Sequence, residues 1–113
     1  MPYIQTRTNC NISKEKEIAI KEKLGRAITL LGKSEDWLMV EFVPNCNLYF
    51  KGKDDGIFAY VDVKLYGRSS SEAYSSMTGA ISEVLNTELG ILPSNVYVSY
   101  SEFENFGWNG RNF

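Results

Sequence analysis

Leu31-Gly32-Lys33 and Leu89-Gly90-Ile91 are the two stretches whose reading decides the fold. Each closes a segment of helical spacing with a glycine, the residue that most readily takes the left-handed turn ending a helix. A β-prone run follows each one, with Val40 and Val98 at the same distance from their glycines. Upstream of Gly32, the residues Ile20, Leu24, Ala27, Ile28 and Leu31 recur at three- and four-residue intervals. Glu15, Lys21, Glu22 and Arg26 occupy the other face, and Asn11 and Ser13 offer capping oxygens, which predicts a helix over 13–31. Upstream of Gly90, Ala73, Met77, Ala80, Ile81, Val84 and Leu85 form a second apolar stripe. Ser69 followed by Glu72 has the spacing of a capping box at its start.

Working outward, residues 3–9 read as a strand with Ile4, Thr6 and Thr8 on one face, and 37–44 as a second ended by Pro44. Residues 57–66 and 95–101 supply the third and fourth, with Pro93 in the turn before the last. Between the halves, 45–56 is connection, with a short strand at Leu48-Tyr49-Phe50 and a turn at 52–56. The offset separating the two glycines also lays the first strand on the third. The expectation is an α+β domain, a two-layer β-α-β-β-α-β pseudo-repeat: a four-stranded mixed sheet with both helices on one face. The pseudo-repeats run over about 2–50 and 57–101, with a tail over 102–113, in one domain spanning 1–113.

That arrangement leaves the second sheet face to Arg7, Asn9, Glu41, Asp62, Tyr97 and Ser99, and leaves an aromatic tail holding Phe106, Trp108 and Phe113. Both features predict self-association, since a chain of this size gains from burying such surface on a partner. Trp108-Asn109-Gly110 reads as a tight turn, because Asn-Gly favours positive backbone dihedrals.

Composition narrows the chemistry. Twelve lysines and arginines against 14 acidic residues give a net charge of -2, with no basic cluster, so nucleic acid is not an expected partner. No apolar run is long enough for a membrane span, so no membrane insertion is expected. The N-terminus lacks the pattern of a secretion signal, which places the protein in the cytoplasm unless it leaves by a nonclassical route. Two cysteines, Cys10 and Cys46, read as unpaired buried thiols rather than a disulfide scaffold. Histidine is absent, which removes Ser-His-Asp and Cys-His catalysis on one chain and makes a zinc site unexpected; neither metal nor cofactor is implied. A proton carrier must then be a carboxylate, lysine, tyrosine, cysteine or terminal amine.

Met1-Pro2 opens the last of these routes. If Met1 is removed, Pro2 carries a secondary amine, and an apolar pocket lowers its pKa toward neutrality, as general acid–base work requires. The alternative is that Pro2 only begins a strand. Lys33 either favours the C-terminal end of the first helix or holds an anionic group. Tyr97 is either an interface aromatic or a ligand contact, and Trp108 and Phe113 are either packing residues or pocket walls. Ser69, Ser70 and Ser71 follow Gly67 without a P-loop ending and belong to helix entry.

Taken in order, Met1-Pro2, Leu31-Gly32-Lys33, Phe50, Val96-Tyr97-Val98 and Gly107-Trp108-Asn109-Gly110 closed by Phe113 resemble the macrophage migration inhibitory factor family of the tautomerase superfamily, most of all its protozoan homologues. The resemblance implies a homotrimer with active sites between neighbouring chains. It makes Pro2 the catalytic acid–base, with Lys33 binding the carboxylate or oxygen of a small aromatic keto or enol acid such as phenylpyruvate. A dopachrome ester would serve as an artificial substrate. It further implies that Leu65 supplies a backbone N–H, that Tyr97 reaches in from the neighbouring chain, and that Phe106, Trp108 and Phe113 wall the mouth with Trp37 at the rim. A cytokine-like protein with a cell-surface receptor partner is the alternative that the resemblance carries. Three departures stand out. Ile57-Phe58-Ala59-Tyr60 lacks the Cys-x-x-Cys pair of some members, Ser99 replaces an asparagine, and Tyr66-Gly67-Arg68 differs from the usual glycine-rich stretch.

Overall fold

In a computed structural model describing residues 1–113, the chain runs β1 (Pro2–Thr8), α1 (Lys14–Ala27), β2 (Met39–Val43), β3 (Ala59–Tyr66), α2 (Ser71–Leu89), β4 (Val96–Phe103), β5 (Gly107–Trp108) and β6 (Arg111–Asn112). The main sheet has the order β2-β1-β3-β4. β1 is parallel to β2 and β3 is parallel to β4, while β1 and β3 meet antiparallel in the centre. Each parallel pair is therefore spanned by one helix, as a parallel crossover requires. This is the expected four-stranded mixed sheet with two helices.

Alternation along the strands sets the two faces. Ile4, Thr6, Val61, Val63 and Leu65 are fully or almost fully buried and lie toward the helices. From α1 and α2, Ile20, Leu24, Met77, Ile81 and Leu85 meet Ile4, Val61 and Val63 in one core. Thr8 fits on that face because its hydroxyl donates to the Phe58 carbonyl at 2.7 Å. Both closing glycines act as anticipated, with φ of 72° at Gly32 and 70° at Gly90, each ending its helix in the left-handed region. The last turn before Gly32 tightens into a 3-10 turn over Ile28–Leu31, so the predicted helix over 13–31 is α-helical only to Ala27.

Other boundaries shift for local reasons. The second strand starts at Met39 rather than Trp37, because Glu35–Trp37 forms a 3-10 turn capped by the Ser34 side chain on the Asp36 N–H. The third starts at Ala59. The Phe58 N–H is taken by Asn9 Oδ1 at 2.9 Å and its carbonyl by Thr8, so side chains satisfy this backbone before the ladder begins. Asn9 also donates to the Gly56 carbonyl, and is thereby occupied at the strand end instead of joining the open face. Leu48-Tyr49-Phe50 is no strand; a single bridge joins Phe50 to Lys53. The second helix is capped by Ser70, whose Oγ accepts from the Ala73 N–H at 3.1 Å, rather than by Ser69. Ser69 instead gives its own N–H to the Tyr74 hydroxyl. The fourth strand continues to Phe103, beyond the expected end at 101.

The helix-free face carries Tyr3, Gln5 and Arg7 from β1, Met39 and Glu41 from β2, Tyr60, Asp62 and Lys64 from β3, and Tyr97 and Ser99 from β4. Several are large and open to solvent in the single chain: Met39 is 68% exposed and Tyr97 60%. No helix is long and apolar enough to cross a membrane.

Candidate active site

The strand that starts the chain also positions its amine. Pro2 is buried beside Leu65, and Tyr66 donates its N–H to the Met1 carbonyl at 3.1 Å. A cleft of about 760 Å³ opens at this end of the sheet, lined by Met1, Pro2, Tyr3, Trp37, Lys64 and Trp108, among others. Lys33, delivered just after the Gly32 turn, extends to the end of β3 and donates from Nζ to the Tyr66 carbonyl at 2.9 Å. The Met1 amine lies below the usual α-amino range, first because burial disfavours its charge and second because the Lys33 ammonium repels it. A terminal amine at this place is therefore biased toward its neutral, proton-accepting form.

The tail supplies the aromatic wall. β5 and β6 form a hairpin across Asn109 (φ 55°) and Gly110 (φ 81°), the two positive dihedrals foreseen for this turn. The hairpin sets Trp108 edge-on against Trp37, with ring centroids 4.8 Å apart, and stacks it near Phe113 at 6.5 Å. Phe113 donates its N–H to the Phe106 carbonyl, and both rings approach Tyr66. Trp37, Phe106, Trp108 and Phe113 thus gather at the Pro2 end, with Lys33 close by.

Tyr97 and Ser99 do not. Tyr97 pairs in register with Tyr60 and, through it, with Arg7, five positions along β1 from Pro2, or about 16 Å at the usual rise per residue. There it meets Phe50 and Tyr60 edge-on, at 5.3 and 6.5 Å. Ser99, midway along β4, accepts a hydrogen bond from the Tyr60 hydroxyl at 2.7 Å. The candidate residues therefore form two groups at different levels of one sheet.

Leu65 is placed differently from its assigned part. Its side chain is fully buried, and it stands opposite Pro2 in a pair of the antiparallel ladder that exchanges no hydrogen bonds. The amide directed toward the N-terminal segment is that of Tyr66, the next residue. Strand alternation makes a one-residue difference in phase a reversal of direction. Sequence reading also missed Tyr3, Asp36, Met39 and Lys64 on the cleft wall. A register counted outward from Pro2 would have found Tyr3, Lys64 and Met39, which lie side by side across three strands.

Comparison with known proteins bears on the whole chain. The family profile described as Macrophage migration inhibitory factor (MIF) matches residues 1–113. A crystal structure of a Leishmania major MIF superposes with a TM-score of 0.93 at 31% identity, covering 100% of this chain and 97% of that one. The macrophage migration inhibitory factor of Mus musculus is 26% identical over 117 residues, covering 100% of this chain and 99% of its own length. The Toxoplasma gondii protein shares the fold, with a TM-score of 0.90 at 18% identity over 98% and 99% of the two chains.

Proposed function

Since the chain belongs to the macrophage migration inhibitory factor family of the tautomerase superfamily, we propose that it is a keto–enol tautomerase for phenylpyruvate-type acids whose acid–base is the amine of Pro2, freed by loss of Met1. The observation that carries this reading is the aromatic-walled cleft at the start of β1, where burial and the Lys33 ammonium together lower the pKa of the Met1 amine. In the enolising direction the Pro2 nitrogen takes a proton from the carbon next to the 2-oxo group. The electron pair of that C–H bond becomes the new C=C bond, and the carbonyl oxygen gains the charge and then a proton. Ketonisation runs in reverse, with the Pro2 ammonium returning the proton to carbon. Atoms and electrons balance without a cofactor.

Lys33 supports the oxygen or carboxylate as a point charge. The Tyr66 N–H, whose present acceptor is the Met1 carbonyl, would be released toward the same place when Met1 leaves. Trp37, Phe106, Trp108 and Phe113 enclose the substrate ring and limit water. Tyr97 and Ser99 reach a Pro2 only from a neighbouring copy, given their separation within one chain, and the exposed Met39 and Tyr97 favour such assembly. The reading is therefore a homotrimer with sites between copies. Purified protein whose mass shows removal of Met1 is expected to sediment as a trimer and interconvert enol and keto phenylpyruvate. A correctly processed trimer without that activity would overturn the substrate, and a stable monomer the shared site.

A further inference from the structure

We propose that Gly25 is a positioning residue, which seats the Glu35 side chain against α1 and so fixes the turn that presents Trp37 to the substrate ring. The part played at the substrate rests on the tautomerase reading. A glycine inside a helix weakens it relative to alanine, so its presence there asks for a reason in packing. Gly25 lies well within α1 and has no positive φ that would call for glycine. What calls for it is a close approach. Gly25 is buried although it has no side chain, and Glu35 covers it: a Cβ at position 25 would overlap the Glu35 carboxylate and lie 2.9 Å from its Cγ. Leu24 and Ile28 hold this stretch of chain in the core, so the helix cannot withdraw to make room. Gly79, the glycine inside α2, has nothing within 4 Å of the same position.

Glu35 opens the 3-10 turn Glu35–Trp37, and the hydrogen bonds of that turn are local. The Asp36 N–H goes to Ser34 Oγ at 3.1 Å, the Trp37 N–H to the Ser34 carbonyl at 3.2 Å, and the Leu38 N–H to the Glu35 carbonyl at 3.0 Å. These bonds shape the turn without tying it to α1, and the seat at Gly25 supplies that tie. Two residues on, Trp37 meets Trp108 edge-on with ring centroids 4.8 Å apart. Where Glu35 is laid down therefore decides where the Trp37 ring stands at the mouth. The seat itself is on α1, away from the sheet face that neighbouring copies would cover.

The test is a double-mutant cycle of Gly25→Ala and Glu35→Ala in the processed protein, with Glu35→Gln and Gly79→Ala beside it. Gly25→Ala should raise KM for phenylpyruvate about fivefold, the scale of one displaced aromatic contact, and leave kcat within about twofold. It should also shift an indole N–H signal in the nitrogen-15 NMR spectrum, because the chain has two tryptophans and the edge-on pair places one ring in the ring current of the other. Glu35→Ala should act in the same direction. Once Glu35→Ala is present, adding Gly25→Ala should change neither KM nor the indole signals and should raise Tm by about 4 °C, as alanine does in an unobstructed helix. Glu35→Gln, of the same shape, should match the parent, and Gly79→Ala should raise Tm without moving KM. A Gly25→Ala protein with a raised Tm and unchanged KM and indole signals would overturn the proposal, since Glu35 would then have swung aside without consequence. Effects of Gly25→Ala that persist in the Glu35→Ala background would overturn it too. The indole and Tm measurements need no turnover, so a parent that shows the cycle but no tautomerisation would refute the reaction and retain the seat.

Discussion

Pro2→Gly is expected to lower phenylpyruvate tautomerisation by about a hundredfold or more in a protein that still assembles, the scale of a lost or displaced general base. Glycine keeps an α-amine of similar basicity and still permits removal of Met1, so the variant does not simply delete a titrating group. What it removes is the ring. Proline fixes φ and ties the nitrogen to the strand, whereas glycine lets the amine swing. Pro2 is buried against β3 with Leu65 as its partner, so its nitrogen is aimed by the same packing that builds the core. Most of the fall should appear in kcat, because the aromatic walls and Lys33 still bind the ring and the anion. Mass spectrometry of the N-terminus and sedimentation of the variant separate lost chemistry from lost assembly. Activity within a few-fold of the parent would show that a fixed secondary amine is not required.

Lys33→Met is expected to move the pH–activity profile upward and to depress kcat/KM most strongly at low pH. The sign follows from the base. The neutral amine is the active form for proton abstraction, so activity rises as pH passes upward through the amine pKa. The Met1 amine at this end of the sheet is lowered by burial first and by the Lys33 ammonium second, and the Pro2 amine freed beside it is expected to feel the same two influences. Removing the ammonium deletes the second and leaves the first, so the rise is displaced to higher pH but remains below that of an exposed amine. Lys33 also contacts the Tyr66 carbonyl and, in the proposed site, the oxygen or carboxylate of the substrate. The profile should therefore be lower at every pH as well as shifted. A loss uniform with pH would assign Lys33 to binding alone.

Much of this site was legible because its signals are local. A glycine after an apolar stripe marks a helix end wherever the helix packs, and Gly32 and Gly90 both take the required positive φ. Asn109-Gly110 demands its turn regardless of surroundings, and that turn carries Trp108 to Trp37. The face of β1 followed from alternation alone, since Ile4, Thr6 and Thr8 are all buried. What escaped was set by partners distant in sequence. Which amide faces Pro2 depends on the register of β1 against β3, and nothing local distinguishes Leu65 from Tyr66 in that respect. Ser70, not Ser69, caps the second helix, and Tyr74 folds back to take the Ser69 N–H, a contact that spacing does not encode. Lys64 looks like a surface lysine in the sequence; only the row Met39, Tyr3, Lys64 across three strands puts it on the cleft wall.

The most direct measurement is the titration of the Pro2 nitrogen itself, followed by NMR in protein labelled with nitrogen-15 proline and verified to begin at Pro2. One nitrogen is expected, with a midpoint clearly below that measured for the same nitrogen in a short, unfolded peptide with the same N-terminal sequence, and with a rise in activity that tracks it. A midpoint equal to or above the peptide's, or an activity profile that ignores it, would contradict the terminal amine as the group that carries the proton.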